Sequence, residues 1–139
     1  MSASEPRVSL EELRAFFAND FPQASVTIEE IGHGRARVRQ AVGHAQLRPG
    51  GTVSGPVMMA VADAGAYAAV LTVIGLVPLA VTTSLTMNFL RKPSAAAAIV
   101  GEATLLKTGR RLMVAEIRVY SEGSDAPVAH ATATYAIPA

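Results

Sequence analysis

The residue of this sequence best suited to chemistry is Asp63, because it is the one charged side chain in the apolar stretch 54–77. A carboxylate in such surroundings is costly unless it is paired or has a function. In enzymes, carboxylates act as general bases or as nucleophiles. We therefore predict that Asp63 is a functional residue.

The stretch around Asp63 has the features of a long helix. Gly55 and Pro56 open it, and Pro is favoured in the first turn because its missing N–H would be unpaired there. Gly75 and Pro78 are typical stop signals. Apolar residues occupy nearly every face between these ends, which predicts a helix that is buried nearly all round.

Two other interpretations of this helix must be weighed. Asp63 could face a hydrated interface or cap a neighbouring loop without any catalytic role. The stretch is also longer than the roughly 18 apolar residues that indicate a membrane span. A carboxylate near its middle would cost about 2.5–3.5 kcal/mol in a bilayer, however, and Gly65 and the many alanines weaken that case. We favour the core helix of a soluble protein.

The composition limits the classes of protein that fit. The 139 residues carry a net charge of +1, and 17% of them are charged. This predicts a single domain over residues 1–139 with no general attraction to nucleic acid or to a membrane surface. The sequence lacks Cys and Trp, which excludes thiol nucleophiles and disfavours nucleic-acid binding. The segment MSASEPRVSL contains no apolar signal peptide, so we expect a cytoplasmic protein.

The remaining elements can be placed around the long helix. Ser9 and Glu12 match the capping box S-x-x-E, which predicts a short N-terminal helix at about 9–19. A Pro-Gly-Gly sequence predicts a loop over residues 46–54. Alternation of apolar and polar residues predicts strands, which are 25–30, 35–42, 80–90, 99–107, 112–121 and 128–137. One long helix and a run of antiparallel strands indicate an α+β domain with the sheet wrapped around the helix.

The three histidines do not form a recognisable site. His33 lies in a predicted turn, His44 precedes the predicted loop, and His130 lies on the last predicted strand. No H-x-H or H-E-x-x-H spacing is present, so we expect no metal site. The absence of a G-x-S-x-G sequence argues equally against a Ser-His-Asp hydrolase.

Three features follow one another along the chain: a helix that opens on a Gly loop with Asp63 at its tenth position, a strand ending in FLRKP, and the turn KTGRRL. Their order resembles the hotdog-fold thioesterases, above all the PaaI-like branch of acyl-CoA thioesterases associated with phenylacetate degradation. The resemblance makes Asp63 the catalytic residue, as a general base or as a nucleophile, and both roles stay open. The resemblance covers roughly residues 35–135. It implies a hotdog fold, with an antiparallel sheet of five to six strands around one long central helix. It also implies a homodimer or dimer of dimers with sites at the subunit interface, and hydrolysis without a cofactor or metal.

The resemblance also assigns individual residues to a site. In the family a His-Gly-Gly tripeptide precedes the catalytic Asp, and the tripeptide 54–56, Ser-Gly-Pro, stands at the matching distance from Asp63. The backbone N–H of Gly55, at the positive end of the helix, then binds the thioester oxygen. Thr82 corresponds to a catalytic hydroxyl residue at the start of the next strand. Ser54 replaces the family's His and Arg48 replaces an Asn, and we count both as candidates for substrate binding.

Basic residues lie at two places that could contact the substrate. Arg91 and Lys92 follow the strand 80–90, and Arg110 and Arg111 lie in the turn KTGRRL. Such residues are ordinarily solvated strand ends. Coenzyme A carries phosphates, however, so these four residues are also candidates for substrate binding.

Three functions fit this pattern. The leading one is an acyl-CoA thioesterase. The second is a non-catalytic module that binds acyl-CoA or an acyl carrier, because the family's His and Asn are replaced. The third, a hotdog hydratase, is disfavoured because no Asp-His pair stands near the helix start. Gly55 and Asp63 are separated by eight residues, or roughly 12 Å along a helix, so we also predict a site shared between subunits.

Overall fold

Two α-helices and eight strands make up the computed structural model, which describes residues 5–22 and 24–139. The first four residues of the segment MSASEPRVSL lie outside the described residues. Helix α1 spans Leu10–Asp20 and helix α2 spans Gly55–Ile74, and a short 3-10 turn spans His44–Gln46. The strands are β1 Thr27–Gly32, β2 Arg35–Gln40, β3 Leu47–Arg48, β4 Thr52–Val53, β5 Val81–Phe89, β6 Ile99–Thr108, β7 Leu112–Ser121 and β8 Ala129–Ala136.

Six of these strands form one antiparallel sheet in the order β1-β2-β6-β7-β8-β5, and α2 packs on its inner face. The helix approaches the sheet closely. A Cβ on Gly101 of β6 would come within 2.8 Å of the Val61 side chain, so glycine is required at this contact. A six-stranded antiparallel sheet around one long helix confirms the predicted α+β hotdog fold.

Helix α1 begins with the capping box that the sequence predicts. Ser9 Oγ accepts a hydrogen bond from the Glu12 N–H at 3.0 Å, and the Glu12 carboxylate accepts one from the Ser9 N–H at 2.9 Å. The buried rings of Phe16 and Phe17 lie 6.1 and 5.8 Å from the ring of Tyr67 on α2, measured between centroids. Helix α1 therefore covers the middle of α2 with an aromatic cluster.

The predicted loop 46–54 contains a small hairpin that sequence reasoning missed. Strands β3 and β4 pair Leu47 with Val53 and Arg48 with Thr52. Gly50 and Gly51, both at positive φ, make the turn between them. The glycines predicted the turn correctly, but strands of two residues are too short to show alternation.

The prediction that the long helix is buried nearly all round is wrong for its first turns. The run 64–72 is buried throughout, whereas Pro56, Met59 and Ala60 are exposed. The exposed turns lie beside the edge strand β5, where nothing in the described chain covers their outer side. Within the described residues, α2 is the one helix long and apolar enough to cross a membrane. Because 67% of an apolar 18-residue segment of this helix is buried in the fold, α2 is a core helix.

Strand β5 forms one edge of the sheet. Leu85 and Met87 point toward the core and are half-buried, as their alternation predicts. Phe89, which alternates with them, is 50% exposed, and Val81 is 52% exposed. Because β5 pairs only with β8 among the described strands, its other edge presents unpaired backbone groups flanked by apolar side chains.

Candidate functional site

Asp63 lies on α2 opposite strands β5 and β8, and its carboxylate is hydrogen-bonded rather than isolated. Thr82 Oγ1 donates to Asp63 Oδ1 at 2.6 Å, and the Tyr135 hydroxyl donates to the same oxygen at 2.7 Å. Asp63 is half-buried, and no donor in the described part of the chain reaches its Oδ2. One carboxylate oxygen is thus held by two hydroxyls while the other is left for a ligand.

Thr82 and Tyr135 reach Asp63 together because they are direct partners across β5 and β8. Side chains of directly paired residues stand on the same face of a sheet. The structure therefore brings Asp63 and Thr82, two of the three predicted catalytic residues, into contact. Tyr135 was not predicted. The sequence feature that could have identified it is the alternation of β8. Every second residue of this strand is buried, and Tyr135 is the one large polar residue among them.

Tyr135 is fixed by its surroundings and stays protonated. Its side chain is 3% exposed, and its ring is stacked on Tyr67 with centroids 5.7 Å apart and planes 11° apart. Burial raises the pKa of Tyr135 well above its ordinary value, and the charge of Asp63 raises it further. Burial also raises the pKa of Tyr67, with a smaller contribution from Asp20. Tyr135 is therefore a hydrogen-bond donor throughout the working pH range of an enzyme.

A cavity of about 260 Å³ opens beside this carboxylate. Phe16, Phe21 and Tyr67 give it a largely aromatic wall. Its polar lining residues are Asp20, Asp63, Thr82 and Tyr135. A cavity with an apolar wall and a few polar groups is typical of a small-molecule site. An apolar group placed there would lie beside the Asp63 carboxylate.

Gly55, the third predicted catalytic residue, lies away from this cavity at the start of α2. Ser54 caps the helix, because its Oγ accepts a hydrogen bond from the Val57 N–H at 3.3 Å. The Gly55 N–H has no acceptor among the described residues. The ring of Phe89 lies 3.5 Å from the place a Gly55 Cβ would occupy. An unpaired N–H at the positive end of a long helix can bind a negatively charged oxygen.

The structure divides the predicted site residues between the two ends of β5. We call one set the Gly55 group and the other the Asp63 group. The Gly55 group consists of Arg48, Ser54, Gly55, Arg91 and Lys92, and the Asp63 group consists of Asp63, Thr82, Arg110 and Arg111. Thr82 and Phe89, which mark the two ends, are seven residues apart on β5, a distance of roughly 23 Å. One chain therefore does not bring all the predicted residues to one place.

Contacts within the chain locate the basic members of each group. Arg48 lies on the hairpin that leads into α2. The Arg91 guanidinium donates to the Pro127 carbonyl, and Lys92 beside it is exposed. Arg110 and Arg111 are exposed in the β6–β7 turn, and Ile137 N–H donates to the Arg111 carbonyl at 2.8 Å. That contact places the turn at the β5 end that carries Thr82, since β8 and β5 are paired there.

The histidines take no part in either group. His130 Nε2 lies 2.9 Å from Glu116 Oε1. His33 stands in the β1–β2 turn, and His44 begins the short 3-10 turn. Across residues 5–22 and 24–139, no three His, Asp or Glu side chains are placed to hold a metal ion.

Comparisons with known proteins identify the family of the chain and relatives of the same fold. A family model described as the thioesterase superfamily matches residues 50–128. The chain is 42% identical to a candidate thioesterase from Silicibacter sp. TM1040, with a TM-score of 0.89 over 99% of this chain and 97% of that one. It is 27% identical to a variant of the phenylacetic acid degradation protein PaaI from Thermus thermophilus, with a TM-score of 0.74 over 86% and 98% of the two chains.

A third solved structure shows the same fold at lower identity. It is a hypothetical thioesterase from Streptococcus pneumoniae TIGR4 with coenzyme A, 21% identical, with a TM-score of 0.78 over 89% of this chain and 95% of that one. No curated protein matches the chain.

Proposed function

This chain belongs to the thioesterase superfamily, and we propose that it hydrolyses acyl-CoA thioesters to a free acid and coenzyme A. The observation that carries the proposal is the hydrogen bonding of the Asp63 carboxylate and its place beside a cavity. Its Oδ1 is held by Thr82 and Tyr135, its Oδ2 has no partner among the described residues, and it borders an apolar cavity. A carboxylate in this position can act on a carbonyl whose acyl group occupies the cavity.

Two chemical routes use this carboxylate. As a general base, Asp63 Oδ2 takes a proton from water while the water oxygen attacks the thioester carbonyl carbon. The C–S bond then breaks, and the coenzyme A sulfur receives the proton. As a nucleophile, Oδ2 itself attacks the carbonyl carbon and expels the coenzyme A thiolate, and water hydrolyses the resulting anhydride. In both routes negative charge develops on the carbonyl oxygen. We propose that the Gly55 N–H stabilises this charge by donating a hydrogen bond to the oxygen.

We propose that each active site combines Asp63 of one copy of the chain with Gly55 of a second copy. Eight residues, or roughly 12 Å of helix, separate the two, whereas donor and base must both approach one carbonyl to about 3 Å. The free edge of β5 and its exposed apolar residues favour pairing with another strand. Antiparallel pairing of two β5 strands would bring the Gly55 group of one copy to the Asp63 group of the other. The resulting assembly is a homodimer or a dimer of dimers.

Coenzyme A is our proposed thiol carrier for two reasons. The superfamily acts on thioesters, and the fold occurs in a protein solved with coenzyme A. The same antiparallel pairing would gather Arg91 and Lys92 of one copy and Arg110 and Arg111 of the other at one site entrance. There they could bind the phosphates of coenzyme A. We also retain a cytoplasmic location as part of the proposal.

The proposal is tested by measuring thiol release from a panel of acyl-CoAs that differ in the length and shape of the acyl group. We expect release of coenzyme A from at least one of them at a rate that saturates with substrate. Calorimetric binding of the same compounds is measured in parallel. Binding without thiol release from any member would support the alternative, a non-catalytic acyl-CoA or acyl-carrier binding module, and would contradict the thioesterase.

A further inference from the structure

We propose that Tyr135 is a positioning residue that holds the Asp63 carboxylate in one orientation, with one oxygen occupied by hydroxyl donors and the other facing the substrate. The inference deepens the proposed function and rests on it, because it concerns the same carboxylate. Tyr135 lies outside the residues 50–128 that the family model matches. Its role follows from the contacts of its hydroxyl and of its ring.

The hydrogen bonds of Tyr135 select one carboxylate oxygen. Its hydroxyl lies 2.7 Å from Asp63 Oδ1 and 3.1 Å from the backbone carbonyl oxygen of the same residue. Thr82 Oγ1 donates to Oδ1 from the other side at 2.6 Å. A carboxylate oxygen that accepts from two hydroxyls has few lone-pair directions left. Rotation of the carboxylate plane would break both hydrogen bonds. The two hydroxyls therefore hold this plane and leave the second oxygen free.

Tyr135 can do this because it cannot easily move. It stands on β8 between two paired strands, opposite Thr82 on β5 and Met113 on β7. Its ring is stacked on Tyr67 of the same helix that carries Asp63. Functional groups are held most accurately when their supports lie on regular elements with packed side chains. Thr82, by contrast, has an exposed side chain on a strand that pairs with only β8 among the described strands, so within one chain Tyr135 is the more firmly held of the two supports.

The titratable groups around the Asp63 carboxylate are consistent with Tyr135 acting as a hydrogen-bond donor to it. The titratable groups that share the cavity with Asp63 are Tyr135, Tyr67 and Asp20, and none of them is a cation. Burial raises the pKa of Tyr135, so its proton stays on the phenol and is offered to Asp63 at every working pH. Tyr135 therefore orients the carboxylate without exchanging a proton with the substrate.

The test compares Tyr135→Phe with the matched control Tyr120→Phe in the full-length protein. Phe keeps the ring and the stack on Tyr67 but removes the hydroxyl. Tyr120 lies on β7 outside the cavity, so its variant makes the same chemical change away from the site. For Tyr135→Phe we expect kcat to fall roughly 10- to 100-fold, the effect of losing a hydrogen bond to a charged group.

Two further results distinguish positioning from loss of structure. KM for Tyr135→Phe should stay within about threefold of wild type, because ground-state binding is kept. Tyr120→Phe should change neither kcat nor KM. A kcat for Tyr135→Phe within about twofold of wild type, or a fall equal to that of the control, would overturn the inference.

Failure of the proposed function would be seen separately. If the wild-type protein releases thiol from no acyl-CoA, the NMR chemical shift of the Asp63 carboxyl carbon still tests the contact. This chemical shift should change in Tyr135→Phe and stay constant in Tyr120→Phe, and an unchanged value in Tyr135→Phe overturns the inference. If Tyr135→Phe does not fold, the Tyr135 hydroxyl-proton resonance is compared in wild type and Asp63→Asn. A downfield resonance that moves upfield on substitution supports the hydrogen bond, and an identical resonance refutes it.

Discussion

The Asp63 group and the Gly55 group occupy opposite ends of β5, and they differ in how complete they are. At one end the carboxylate of Asp63 is oriented by Thr82 and Tyr135 and adjoins a cavity. At the other end the Gly55 N–H has no acceptor in the described chain, and Phe89 beside it is half exposed. An unpaired donor at a helix start is free to bind a ligand, which agrees with the proposal that a second copy of the chain completes this end.

The same contrast runs along helix α2. From Val61 to Thr72 the helix is buried except at Asp63, and Tyr67 packs on Phe16 and Phe17 of α1. Its first turns carry exposed apolar residues such as Met59. The helix thus holds Asp63 in its buried part and presents an exposed apolar surface in its first turns. The substitutions below test the two ends separately, from the largest expected effect to the smallest.

Asp63→Asn should have the largest effect on catalysis. Removing a general base or nucleophile is expected to lower kcat on the order of 10²- to 10⁴-fold. The fold should survive, because the Asn amide oxygen can still accept hydrogen bonds from Thr82 and Tyr135. Thiol release on the best substrate measures kcat, and thermal unfolding checks the fold. A folded variant within threefold of wild-type kcat would show that the carboxylate is not the reacting group.

At the other end, Gly55→Pro removes the proposed oxyanion donor. Position 55 is helical and directly precedes Pro56, a conformation that Gly tolerates better than Pro or Ala, so thermal unfolding of both the Pro and the Ala variant is measured beside kcat. Pro is well accepted at the first position of a helix, and the extended backbone of Ser54, at φ −72° and ψ 152°, suits a residue before Pro. Loss of one such donor should lower kcat roughly 10²- to 10³-fold. Gly55→Ala is the matched control, because it keeps the N–H and adds a Cβ only 3.5 Å from the Phe89 ring, an ordinary contact. Equal kcat for the Pro and Ala variants would remove the N–H from the mechanism.

Mixing these two inactive variants tests whether the two ends meet across subunits. A mixed dimer of Asp63→Asn and Gly55→Pro has one site with both groups intact and one site with both defects. Random exchange of equal amounts should therefore restore about a quarter of the wild-type activity. Mixtures that stay inactive after exchange has been verified by tagged subunits, or an active monomer in sedimentation, would rule out the shared site.

The basic residues should change substrate binding rather than turnover. If Arg110 and Arg111 bind the phosphates of coenzyme A, replacing both with Gln should raise KM several-fold and leave kcat nearly unchanged. The rise should shrink as salt is added, because exposed charges are screened. Arg118→Gln is the control, since Arg118 is an exposed arginine of β7 that belongs to neither group. An unchanged KM at low ionic strength would identify Arg110 and Arg111 as solvated turn residues.

Much of the fold was predictable because its signals are local. The capping box of α1, the ends of α2 and the alternation of most strands are each encoded within a few neighbouring residues. The β3–β4 hairpin was missed because its strands are too short to show alternation, whereas the exposed start of α2 depends on contacts between distant residues. Exposure of the first turns of α2 follows from the place of β5 at the sheet edge, which strand alternation does not reveal.

The candidate site divides in the same way. Asp63 stands out because a charge in an apolar stretch is visible in the sequence itself. Tyr135 does not stand out in the sequence. It becomes a site residue only because β8 pairs with β5 and places it opposite Thr82, a residue far earlier in the chain. The family spacing assigned Ser54 to the substrate, and the structure adds a local role as a helix cap.

The smallest expected effect concerns that cap. Ser54 Oγ accepts from the Val57 N–H at 3.3 Å, a long hydrogen bond, so Ser54→Ala should cost about 1 kcal/mol of unfolding free energy or less. Ser54→Asp keeps a capping oxygen and should cost less than Ala. Urea denaturation with an unchanged slope measures both. Ser54→His combined with Pro56→Gly restores the family tripeptide but removes the cap, so we expect it to lose stability without gaining turnover. A higher kcat in that double variant would show instead that position 54 faces the substrate, and that the Gly55 end lost a catalytic side chain when serine took this place.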